Sequence, residues 1–271
     1  MFLYFYKMKF FVFGIGILIV SCLGFEAYDY FVYAEPKKEI IQGSITSVPK
    51  KVIIDSGRFL QPRQLPLSIS EIERSIIKAG LVDIKKVDSN IVVDLKYSTC
   101  DNFLCADMYG DFNKCYLQPD VAEKLKLAQQ FLRSKFPYYN LIVFDAARPR
   151  SIQYKMWASI DVPYCERSKY LSNPNSGSLH NFGAAVDISI IDKNGFELDM
   201  GTPYDFFGEL AYPREEERMI FEGKLTHTQL LSRELLRSVM EHSGFSSITT
   251  EWWHFNSCSR KEAYLKYAMI E

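Results

Sequence analysis

The chain has 271 residues, 48% hydrophobic and 15% aromatic, enough for one large domain or two small ones with a sizeable core. Its 32 basic and 33 acidic residues nearly cancel, and no basic block or stripe marks a nucleic-acid or anionic-membrane surface, which excludes nucleic acid as a partner. No internal repeat or low-complexity tract is evident.

The first residues differ from the rest. Lys7 and Lys9 precede an apolar run over residues 10–20, the pattern of an export signal. Ile19-Val20-Ser21-Cys22 resembles a bacterial lipobox, whose cysteine is lipidated after cleavage; cleavage elsewhere, or retention as an anchor, are the alternatives. Residues 1–22 are thus expected to be a signal peptide, of lipoprotein type if Cys22 is modified. The protein is then exported to the periplasm or cell envelope and meets a membrane only through that N-terminal lipid or signal anchor. Residues 23–68 read as a tether and lead-in, with Pro36, Pro49, Pro62 and Pro66 and a short candidate edge strand at 51–54. The compact domain is expected over 69–271. It carries Cys100, Cys105, Cys115, Cys165 and Cys258 with no CxxC pair, which argues against a structural zinc ribbon. Export makes pairing among these five open, and their odd number leaves at least one unpaired in the chain.

Within the domain, Ser70 and Glu73 form a capping-box pattern ahead of Ile72, Ile76 and Ile77, with Gly80 placed to end the helix. Residues 90–97 read as a strand with Ile91, Val93, Leu95 and Tyr97 on one face. A loop follows to Gln118. Pro119 suits a first helical position, and Val121, Leu125, Ala128, Leu132 and Phe136 recur at helical spacing over about 17 residues. Residues 140–145 form a short apolar strand that runs into Ala146-Ala147-Arg148-Pro149, and a helix is expected over 151–159. A strand is predicted over 185–191, a helix around Leu230 to Met240 stopped by Gly244, and a last strand over 248–256. This irregular mixture predicts an α+β fold, a mostly antiparallel central sheet flanked by helices, with the metal site at the sheet edge.

Two segments carry the chemistry. Ser178-Leu179-His180-Asn181-Phe182-Gly183-Ala184-Ala185-Val186-Asp187 and Glu251-Trp252-Trp253-His254 together supply two imidazoles, a carboxylate to complete a metal shell and a second carboxylate beside it. A zinc hydrolase needs that set: three protein ligands, an open position for water and a base. His180, Asp187 and His254 are the candidate ligands and Glu251 the candidate base. Both spacings are odd, seven and three residues, so a straight strand would turn each pair to opposite faces. The sequence therefore requires a bend at Gly183, with His180 on the entering loop, and a bulge near Trp252-Trp253, where the residue types favour a strand over a helical turn. Arg148, held extended by Pro149, is either an oxyanion partner beside the metal or a surface partner of Asp145.

Ser178-x-His180-x-x-Gly183-x-Ala185-x-Asp187, Glu251-Trp252-Trp253-His254 and Arg148-Pro149, with Asp101-Asn102-Phe103 and Met200-Gly201-x-x-Tyr204-Asp205-Phe206, resemble the VanX-type zinc D-alanyl-D-alanine dipeptidases over roughly residues 85–260. The resemblance implies one Zn²⁺ per chain on His180, Asp187 and His254, Glu251 as catalytic base and Arg148 as oxyanion stabiliser. It also implies Asp205 as the holder of the substrate ammonium and Ser178 as a contact to its C-terminal carboxylate. The implied substrate is a small peptide, D-Ala-D-Ala, met in peptidoglycan turnover or scavenging. The alternatives are a D,D- or L,D-carboxypeptidase acting on longer stem peptides, and a non-catalytic wall-binding lipoprotein. Leu179 and the three-cysteine loop at 98–116 depart from the cytoplasmic members.

Overall fold

Ser70 opens the first helix, α1 (Glu71–Lys78), its hydroxyl accepting the Glu73 N–H at 3.1 Å. Glu73 uses its own carboxylate elsewhere than in a capping box: it accepts from Lys114 Nζ at 2.6 Å and from the Tyr116 hydroxyl at 2.7 Å. The structure, a computed structural model, describes residues 70–271. The expected leader with Cys22, the tether over 23–68 and the edge strand at 51–54 lie outside the described residues.

After α1 come β1 (Val82–Asp83), α2 (Ile84–Val87), β2 (Val92–Val93) and β3 (Tyr116–Leu117); β1 and β3 pair antiparallel in a small sheet. The strand expected over 90–97 is cut to its first half. Asp94 N–H still donates to Val143 O at 2.9 Å, after which the chain tightens into a 3₁₀ turn over Lys96–Ser98. Ile91, Leu95 and Tyr97 of the expected face are buried, whereas Val93 is half-buried like Val92 beside it.

Helix α3 (Pro119–Lys135) has the expected length and start, burying Val121, Leu125, Ala128 and Leu132 along one stripe. Next come β4 (Asn140–Asp145), α4 (Arg150–Ser159), β5 (Ala185–Ile191), α5 (Glu216–Phe221), α6 (His227–His242), β6 (Ser246–Ser247), β7 (His254–Asn256) and α7 (Arg260–Lys266). The main sheet runs β2-β4-β5-β7-β6, parallel at β2–β4 and antiparallel elsewhere. Helix α3 packs on both α6 and β4. Every residue of β5 is buried, so this strand is covered on both faces.

Two expectations change here. The last strand does not run from 248 to 256: Ser246–Ser247 and His254–Asn256 form an antiparallel pair, and Glu251-Trp252-Trp253 is the turn between them. Adjacent strand residues face opposite ways, yet Trp252 and Trp253 are both buried and meet edge to face at 5.4 Å. A turn permits that. The site also lies away from the sheet edge. Asp187 stands on the third of five strands and His254 on the fourth, directly opposite in register. The edge is taken by two-residue strands that carry none of these side chains. Of the five cysteines among the described residues, no two are bonded: Cys100, Cys105 and Cys165 are exposed, Cys258 is half-buried and Cys115 lies in the core.

Candidate metal centre and its cavity

His180 stands on a short 3₁₀ turn, Leu179–Phe182, between a capping Ser178 and a left-handed Gly183 at φ +64°. A Cβ at Gly183 would meet Leu81 Cδ2 at 2.4 Å and Gln118 N at 3.3 Å, so both the backbone sign and the close approach call for glycine. The bend required by the odd spacing is therefore this glycine. It lets His180 and the β5 residue Asp187 face one point. The second bend is the Trp252-Trp253 turn, which delivers Glu251 beside His254 at the start of β7.

Three donor atoms converge. His180 Nε2 lies 3.3 Å from His254 Nδ1 and 3.4 Å from Asp187 Oδ1, and His254 Nδ1 lies 3.0 Å from that same oxygen. The far nitrogen of each imidazole is occupied: His180 Nδ1 is 2.8 Å from the Ala146 carbonyl and His254 Nε2 is 2.9 Å from Asn256 Oδ1. Both partners are acceptors, so each far nitrogen carries the proton and donates, which turns the lone pair of the other nitrogen inward. Two inward lone pairs and a carboxylate within 4.8 Å of one another form a donor set that fits a cation. The second oxygen of Asp187 accepts from the Tyr204 hydroxyl at 3.1 Å. Glu251 stands just outside the group, Oε2 3.9 Å from His254 Nδ1.

All seven candidate residues, Arg148, Ser178, His180, Asp187, Asp205, Glu251 and His254, line one cavity of about 760 Å³. The chain matches the peptidase M15 family, described as D-ala-D-ala dipeptidase, over residues 77–268. It belongs to that family. Among its relatives, the D-alanyl-D-alanine dipeptidase of Escherichia coli (strain K12) is 28% identical over 175 residues, 65% of this chain and 83% of the relative. That of Enterococcus faecium is 26% identical over 194 residues, 66% and 92%. That of Enterococcus faecalis (strain ATCC 700802 / V583) is 28% identical over 177 residues, 60% and 83%. This M15 member is thus a metallopeptidase, and His180, Asp187 and His254 are the residues among those described that cluster as metal donors.

The M15 cavity is electrostatically uneven. Burial opposes a charge on Asp187, but His180 and His254 outweigh it and hold the carboxyl far below its usual range. Burial also opposes protonation of His254, yet its hydrogen bond to Asp187 and the charge of that residue raise it to about 9. Burial, with Asp187 nearby, pushes Glu251 above the ordinary carboxylate range, the direction that suits a base. Burial and Asp187 push Asp205 up much further, against the Tyr97 hydroxyl and Arg148.

Arg148 is paired with Asp145 and also lines the cavity. It pairs with Asp145 through Nε at 2.9 Å and through Nη2, but the pair is buried rather than on the surface. The Tyr109 hydroxyl donates to the other oxygen of Asp145 at 2.5 Å. The guanidinium lies 5.1 Å from the centre of the Tyr97 ring, with Nη2 3.9 Å from Asp187 Oδ2. Ser178 Oγ accepts the His180 N–H at 3.4 Å, so it steadies the ligand turn from the cavity wall.

Tyr97 and Asn256 were not singled out from sequence. The Tyr97 hydroxyl donates to both oxygens of Asp205, at 3.2 and 3.0 Å, and Asp205 itself sits at φ +59°. The signal for Asn256 was present: two residues beyond His254, it shares that residue's strand face. No local signal marked Tyr97, whose spacing is that of a core residue.

Proposed function

We propose that this protein hydrolyses D-alanyl-D-alanine with one zinc ion held by His180, Asp187 and His254. The observation that carries the reading is the convergence of those three donors beside Glu251 in a single cavity. Four-coordinate zinc with nitrogen and oxygen ligands at about 2.0–2.2 Å sets neighbouring donors roughly 3.3–3.6 Å apart. The two spacings from His180, 3.3 and 3.4 Å, suit it, and the 3.0 Å pair needs only a slight opening. Two imidazoles favour zinc over calcium or magnesium, which take oxygen.

Bound zinc supplies Lewis-acid polarisation of the scissile carbonyl and lowers the pKa of water at the open position to about 7. The protein's own groups do the rest. Glu251 takes a proton from the attacking water and passes it to the leaving amine, work suited to a carboxylate raised by burial. Arg148 is pre-aimed by Asp145 and Tyr97, so its free N–H groups meet the carbonyl oxygen as negative charge gathers there. Asp205 is a carboxyl whose pKa is raised by burial and by Asp187; the substrate ammonium placed against it removes that penalty. The Ser178 hydroxyl accepts from the backbone and keeps its proton for the substrate carboxylate. With the leader expected in residues 1–22, the dipeptide comes from peptidoglycan turnover or scavenging in the envelope.

Glu251→Gln tests the assignment. Zinc binding is expected to persist while kcat falls roughly 100- to 10,000-fold. Turnover at the wild-type rate with zinc bound would remove Glu251 from the mechanism.

A further inference from the structure

Neither Arg148 nor His180 stands on a long element. Arg148 lies between β4 and α4, and His180 on a four-residue turn. Their relative placement depends on cross-links between two irregular stretches. Two are direct: Arg148 N–H donates to His180 O at 3.0 Å, and Asn181 Nδ2 donates to Arg148 O at 2.7 Å.

The third comes from the segment that follows α7. Ile270 N–H donates to Asn181 O at 2.8 Å, and Ile270 O accepts from Arg150 N–H at 2.8 Å. One residue is thus bonded through both backbone groups, one to each stretch. Ile270 is 2% exposed, and Met269 packs on the cluster containing Leu179 and Phe182, which flank His180 and Asn181. The segment also lies against the start of the turn, because a Cβ at Gly177 would come within 2.9 Å of Met269 Cε. Glu271 closes the arrangement through an ion pair to Arg150 at 2.7 Å. Residues 269–271 lie beyond the region matched to the M15 family, which ends at 268.

We propose that residues 269–271 are a latch that positions the His180 turn and Arg148 relative to each other, and so sets metal affinity and turnover. The latch rests on the zinc-dipeptidase reading above. The latch holds the turn that carries His180, so its loss bears on metal affinity and on kcat.

The test uses the full chain with residues 269–271 deleted and, separately, Ile270→Pro, which removes the N–H donated to Asn181. Zinc affinity is measured by competition with a chromogenic chelator, kcat and KM on D-Ala-D-Ala, and Tm for the fold. Both variants are expected to fold, to bind zinc about tenfold or more weakly, as loss of an orienting partner does, and to lose kcat. Folded variants with wild-type zinc affinity and kcat, altered only in Tm, would overturn the latch. So would a failure of both variants to fold, since the segment would then be ordinary core. A wild-type chain that bound no zinc would defeat the zinc-dipeptidase reading and the latch with it, whereas indifferent variants of a zinc-binding wild type defeat the latch alone.

Discussion

Two imidazole nitrogens 3.3 Å apart, each with its lone pair turned inward, repel unless something positive joins them. Asn256 and the Ala146 carbonyl impose that orientation, and Asp187 supplies the balancing negative charge. Burial opposes the charge on Glu73, but hydrogen bonds from Lys114 and Tyr116 prevail and lower its pKa below the usual carboxylate value. A group depressed in the folded state stabilises above its unfolded pKa, and that contribution is lost as pH falls through the folded value. Glu73→Gln is therefore expected to cost about 1 kcal/mol at neutral pH. The difference from wild type in thermal melts should shrink below about pH 4; a gap unchanged down to acid pH would contradict the assignment. The three clustered donors, His180, Asp187 and His254, were legible at this scale because their types and order are specific. Tyr97 was not, because only the tertiary structure sets its hydroxyl against Asp205.

The elements show which local rules held. Periodicity located α3, β4, β5 and α6 nearly to their observed bounds, since each has a buried stripe or run. The odd spacings correctly demanded bends but could not state their form: a left-handed glycine in one case, a turn holding two buried tryptophans in the other. The strand expected over 248–256 failed because aromatic residues suit a strand and a packed turn equally. The Gly183 bend is open to direct test. Alanine there takes on a left-handed φ, costing roughly 1–2 kcal/mol, and must displace Leu81 as well. Gly183→Ala is expected to lower Tm by several degrees and to weaken metal binding through His180. Wild-type values for both would show that the turn does not need this backbone.

At the scale of the whole molecule, the order β2-β4-β5-β7-β6 makes one site from residues more than a hundred positions apart. It sets Asp187 opposite both Asp145 and His254, with a register irregularity between Val143 and Asp145 that brings Asp145 level with Asp187. Strand order and register are long-range choices without a local signature, which is why the α+β class was legible while the interior position of the site was not. The proposed activity needs one catalytic zinc held by this fold for dipeptide hydrolysis. The most direct measurement is zinc content together with D-Ala-D-Ala hydrolysis before chelation, after it, and after zinc is restored. One zinc per chain is expected, with activity lost on chelation and recovered with the metal. A protein that carries no zinc at His180, Asp187 and His254, or that leaves D-Ala-D-Ala intact when fully loaded, would contradict it.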